Sequence, residues 1–64
     1  MTSKWKDPKV YKPSNGTMVL TKSIVDGIKY NHIAYYVSST DEWYTNDDEL
    51  MYSEYIVGWM KIPE

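Results

Sequence analysis

The chain has no cysteine, no arginine and no phenylalanine, and its 64 residues hold only three glycines and three prolines. Without cysteine there is no disulfide framework, no thiolate zinc site and no thiol nucleophile. No uninterrupted apolar stretch approaches the roughly 18 residues that a membrane-spanning helix needs. The opening Met1-Thr2-Ser3-Lys4 runs on into polar residues rather than into the apolar region of a signal peptide. These absences predict one small domain over residues 1–64, located in the cytoplasm.

A chain this short needs a staple, because below about 70–80 residues a single core rarely contributes more than ~3–5 kcal/mol. What is abundant here is ring mass: Trp5, Trp43 and Trp59 with seven tyrosines. Each such ring buries roughly 150–250 Å², so four or five of them make most of a core. Tyrosine in place of phenylalanine implies rings that lie over a core edge with wet hydroxyls, or a binding surface, where Tyr and Trp are enriched. Self-association into a homodimer is the other staple open to such a chain.

The charge is split along the sequence. Residues 1–32 carry six lysines (4, 6, 9, 12, 22 and 29) against Asp7 and Asp26, for +4, whereas residues 33–64 carry Lys61 alone against seven acids, for −6. Between Asp41 and Glu54 there is no basic residue. An unbroken acidic stretch of this kind is either a solvated loop that discourages sheet-edge pairing or a contact surface for a basic partner.

Local signals place the elements. Pro8 and the alternation of lysines with aromatics in residues 1–12 predict an extended arm or edge strand. Pro13-Ser14-Asn15-Gly16 is a turn sequence. Thr17 to Val25 reads as a strand, and Asp26-Gly27 as a two-residue hairpin turn, giving a central hairpin over residues 17–37. If Val25 faces Ile28, then Leu20 faces Ile33, Met18 faces Tyr35 and Lys22 faces Asn31. One face then carries Met18, Leu20, Ile33, Tyr35 and Val37, apolar throughout. The other carries Val19, Thr21, Ser23, Tyr30, His32, Ala34 and Tyr36, a mixed set. Trp43-Tyr44-Thr45 is a short third strand. Asn46 followed by Asp47, Asp48 and Glu49 has the letters of a helix start, predicting one short helix near 47–52. Tyr55 to Ile62 reads as a last strand, central because neither face is polar. Gly58 in it marks a bulge or a gap that a neighbouring ring covers. The expected class is mainly β, an antiparallel sheet of about four strands with little helix.

Two segments carry a resemblance. Trp5, followed after seven residues by Pro13-x-x-Gly16-x-x-Val19-Leu20, resembles the opening of a family of small phage- and prophage-encoded domains of unknown function. That family typically begins W-I-S-V-x-x-R-L-P-x-x-G-x-x-V-L and ends W-M-P-L-P-E-P. This chain closes Trp59-Met60-Lys61-Ile62-Pro63-Glu64, and Ala34-Tyr35-Tyr36 with Trp43-Tyr44 is similar to the family's central aromatics. Lys61 stands where the family has Pro. The resemblance implies a phage-type origin, a bacterial host cell and a β-rich module, and it brings no catalytic residues.

Chemistry finds little footing. His32 is the only imidazole, and mid-strand it makes a poor triad member despite Thr21 and Ser23 nearby. The consecutive carboxylates of Asp47-Asp48-Glu49 point apart and lack calcium-loop spacing. There is no glycine-rich phosphate loop. The expectation is therefore a non-enzymatic protein without cofactor or metal that binds a bacterial host protein, with host antiviral defence as the target class. Its contact residues are Asp41, Glu42, Asp47, Asp48, Glu49 and Glu54 for charge, with Tyr44 and Tyr52 as anchors. The alternative is a single-stranded nucleic-acid or nucleotide-binding module using Lys4, Trp5, Lys6 and Lys12. Against it stand the absence of arginine and a sequence pI near 5.2.

Overall fold

The Asp26-Gly27 reversal sets the frame. Both residues take positive φ, 51° and 78°, the backbone of a type I′ turn whose twist suits a two-residue hairpin. The computed structural model describes residues 4–63, so residues 1–3 of the arm and Glu64 of the closing motif lie outside it. Strand β1 (Val19–Val25) and strand β2 (Ile28–Val37) pair antiparallel with Val25 opposite Ile28, Lys22 opposite Asn31 and Leu20 opposite Ile33. This is the register the turn dictates, although the ladder ends at Val19–Ala34, one pair before Met18.

Three further strands complete one antiparallel sheet: β3 (Glu42–Thr45), β4 (Leu50–Met51) and β5 (Ile56–Lys61), in the order β4-β3-β2-β1-β5. The mainly β class is as the sequence predicts, with five strands rather than about four. The expected helix near 47–52 is replaced by a hairpin turn into β4. Asp48 sits at φ 63°, and Thr45, not Asn46, does the capping. Its Oγ1 accepts from the backbone N–H groups of Asp47 (3.3 Å) and Glu49 (3.2 Å). Helix starts and tight turns use the same short polar residues, and two strand residues follow where a helix needs an apolar stripe. The helical piece that does form is a 3₁₀ turn, Ser53–Tyr55.

Strand β5 is at the edge of the sheet rather than its centre. The arm covers part of that edge: Lys6 N–H donates to the Trp59 carbonyl (2.7 Å) and Trp59 N–H to the Lys6 carbonyl (3.1 Å). A bulge interrupts β5, because Ser23 faces Ile56 while Lys22 faces Gly58. Val57 is the extra residue, so Ile56 and Trp59 fall on one face. Gly58 matters for the arm as well, since a Cβ there would stand 3.3 Å from Trp5 Cβ.

The buried face is the mixed one. Val19, Thr21, Ser23, Ala34 and Tyr36 are buried together with Trp43, Ile56 and Trp59. The purely apolar set lies on the other face, where Leu20, Ile33, Tyr35 and Val37 are half-buried and Met18 is exposed. Size explains the choice, because the small side chains at 21, 23 and 34 leave room for two indoles that larger neighbours would exclude. Thr21 meets its polar obligation locally, donating through Oγ1 to the His32 carbonyl (3.1 Å). The arm closes this core: Pro8 and Pro13 are buried, and Trp59 Nε1 donates to the Tyr11 carbonyl (2.8 Å). Trp59→Phe keeps a ring but deletes that donor. The expected loss is about 0.5–1.5 kcal/mol in urea unfolding, with amide exchange rising first in residues 7–13.

Candidate functional site

The acids cluster around β3 because β3 is only four residues long. Asp41 and Glu42 stand at its start, and Asp47, Asp48 and Glu49 follow its end. Three are held by tyrosines. Tyr36 Oη donates to Asp41 (2.5 Å), Tyr35 Oη to Asp48 (2.6 Å) and Tyr44 Oη to Glu42 (3.0 Å). Each hydrogen bond raises its phenol above the ordinary tyrosine value of 10.0, with desolvation and the carboxylate's charge acting in the same direction.

Strand register makes these pairs possible. Tyr35 lies opposite Tyr44, and Tyr36 opposite Trp43, so the Tyr35 and Tyr44 rings stack on the outer face at 5.8 Å. Tyr36 tilts against Trp43 in the core at 5.2 Å. Of the expected anchors, Tyr44 is thus half-buried in the sheet, while Tyr52 is 62% exposed. Glu54 stands apart from the other acids, lining a depression of about 360 Å³ with Trp5, Lys6 and Lys9. Tyr35 and Tyr36 are functional candidates that sequence reasoning passed over. The usable signal was the hairpin register, which sets this tyrosine pair beside the Glu42-Trp43-Tyr44 run.

Two lysines of the arm, Lys6 and Lys12, are engaged with rings. Lys6 Nζ lies 5.8 Å from the Tyr11 ring and 5.7 Å from Trp59, and Lys12 Nζ lies 5.3 Å from Tyr36. Lys22 Nζ sits 4.7 Å from the ring of Trp5. Among the described residues three lysines thus lie near aromatic faces, Lys6 and Lys12 from the arm and Lys22 from β1. One ion pair joins the two charge halves among the described residues, Lys12 to Asp41 at 3.7 Å. Exposed as it is, such a pair is worth little, and the remaining acids keep their charge.

Two concavities complete the picture. Lys4, Lys6 and Lys61 line an open groove of about 580 Å³ with Met60, Ile62 and Pro63. On the core face, at the closed end of the β1–β2 hairpin, Ser23, Tyr30, Glu49 and Tyr52 line a cavity of about 210 Å³. Among the described residues there is no group of three His, Asp or Glu placed to hold a metal ion, and no helix is long and apolar enough to cross a membrane. No protein-family model, curated protein or solved structure matches the chain.

The tyrosine–carboxylate pairs give a pH signature. A phenol whose pKa is raised in the fold contributes stability that is complete below pH 10.0, the unfolded value, and is lost as pH rises through the folded value. The melting temperature is therefore expected to fall in that alkaline window. The fall should be shallower in the variant Tyr35→Phe/Tyr36→Phe/Tyr44→Phe, read by thermal melts alongside phenolate absorbance.

Proposed function

We propose that this protein is a non-enzymatic binding module of the phage accessory type, which attaches stoichiometrically to a basic surface on a bacterial host protein and inhibits it. The observation that carries this reading is the set of carboxylates around β3, three of them (Asp41, Glu42 and Asp48) oriented by tyrosine hydroxyls and all, Asp41 apart, not ion-paired among the described residues. Charges of this kind steer encounter, and exposed rings such as Tyr52 supply the anchor. The phage-type origin and host antiviral defence as the target class rest on the resemblance of the Trp5–Leu20 and Trp59–Glu64 segments. The cytoplasm of the host cell is the location this role requires.

The test uses substitutions that spare the turns. Asp41 and Asp48 have φ of 55° and 63°, a region asparagine tolerates, so Asp41→Asn/Asp47→Asn/Asp48→Asn removes three charges while keeping the backbone. The wild-type chain is expected to retain a host protein in equimolar amount from bacterial lysate. The triple variant should bind that protein about three- to ten-fold more weakly, chiefly through slower association. Retention of no protein, or equal retention by the variant, overturns the reading.

A second reading has one observation in its favour, the groove in which Lys4, Lys6 and Lys61 converge. There the protein is a single-stranded nucleic-acid or nucleotide binder; of the other residues expected for that role, Lys12 lies at Tyr36 and Asp41 and Trp5 lines the separate depression with Glu54. Binding to oligonucleotides that weakens linearly with the logarithm of salt concentration, and that is lost in Lys4→Gln/Lys6→Gln, would favour it over the first.

A further inference from the structure

The core face is not covered along its whole length. At the closed end of the β1–β2 hairpin Ile28 is 55% and Tyr30 44% exposed, and here the cavity of about 210 Å³ opens. One wall is the Tyr30 ring, stacked with His32 at 6.4 Å. Another is a corner formed by Tyr52 and Tyr55, whose rings meet edge to face at 6.3 Å and 89°. Met51 and Val25 add apolar surface, and Glu49 supplies the carboxylate.

An independent feature lies in the same cavity. Ser23 is 5% exposed, and its Oγ is buried without a hydrogen-bond partner among the described residues. Leaving such a group unmet costs about 1–3 kcal/mol, and the neighbouring Thr21 hydroxyl shows that the strand can satisfy a buried hydroxyl through its own backbone. Ser23 thus sets an unmet, fully buried hydroxyl beside a cavity walled by π-faces and carrying an acid; Trp43 Nε1 is the other buried polar atom without a partner among the described residues.

Size and charge select the ligand. A cavity of about 150 Å³ holds benzene, so this one has room for a single flat group with a short stem. No lysine lines it, Glu49 does, and aromatic faces attract cations. A guanidinium is flat, weakly hydrated, stacks on rings and carries five N–H donors, which suits aromatic walls and the Glu49 carboxylate. We propose that this pocket receives an arginine side chain of the partner protein. The inference rests on the reading that the partner is a basic protein, and it names the chemical group by which that protein is gripped.

The test separates the two. Nα-acetyl-arginine amide is titrated into the intact chain and followed by nuclear magnetic resonance. Saturable shifts are expected at Ser23, Tyr30, Tyr52 and Tyr55. The norleucine amide, which lacks charge, should give none. The trimethyl-lysine amide, which has charge but no side-chain N–H to donate to Glu49, should bind at least about three-fold more weakly. Glu49→Gln and Tyr52→Ala, both at exposed positions, should each weaken the arginine derivative about five-fold or more. No saturable binding, equal binding of norleucine or trimethyl-lysine, or no effect of either substitution overturns the proposal. A host protein whose retention depends on Asp41, Asp47 and Asp48 but is indifferent to Tyr52→Ala would leave the functional reading in place and remove this one.

Discussion

The seating of two indoles on a patch of small side chains is the interaction on which this structure depends. Trp43 and Trp59 are buried on the same face of a single sheet as Thr21, Ser23 and Ala34, Trp59 opposite Thr21 and Trp43 opposite Tyr36. With neither a second layer nor a crosslink, that face must be closed by the chain's own arm. The hydrogen bond from Trp59 Nε1 to the Tyr11 carbonyl ties the two together at 2.8 Å. Tryptophan is suited to this double duty because it offers a large apolar surface and one directional donor. The bulge at Val57 is the geometric condition for it, since without the extra residue Ile56 and Trp59 would point to opposite faces.

The arm explains why the lysines and the rings alternate. Trp5 rests over Gly58, and the Lys6–Trp59 bridge then leads residues 7–13 around the β5 edge to the core. Ammonium groups over Tyr11, Trp59, Tyr36 and Trp5 keep their charges near water while the stems cover apolar surface. The arm thus supplies what a small sheet lacks, a cover and protection for one edge.

Some of this was legible in the residues and some was not, for physical reasons. Asp26-Gly27 admits essentially one hairpin geometry, and that geometry fixes the register of every pair above it. The buried face was not legible from the hairpin alone. Its apolar stripe (Leu20, Ile33, Tyr35) outscores the face that carries Thr21 and Ser23, and only the distant tryptophans reverse the choice. Strand β5 read as central because its apolar residues occupy both faces, whereas the cause is a bulge and an arm. Asn46 to Glu49 read as a helix start because a Thr-led turn and a helix cap draw on the same hydrogen-bonding side chains. At the candidate site the acids and Tyr52 stood out by composition. The tyrosines that hold the acids, and Ser23 beneath Tyr30, emerge only when strands distant in sequence are laid side by side.

The chain treats its two signs of charge differently, and the difference bears on recognition. A lysine over a ring keeps its charge but is drawn onto the protein surface. A carboxylate that accepts from a neutral phenol keeps its full charge and loses only its freedom to rotate. Pairing Asp48 or Glu42 with a lysine would fix the side chain equally well but cancel the field that the proposed basic partner would feel. Tyrosine fixes the geometry without that cancellation, so the ordering of three carboxylates is completed during folding rather than at the moment of binding. The same bonds raise the phenols above 10.0, which carries the protonated donors further into the alkaline range. For Tyr35, Tyr36 and Tyr44 the choice of tyrosine over phenylalanine then has a physical reason, because a phenyl ring would fill the same space and leave the acids loose.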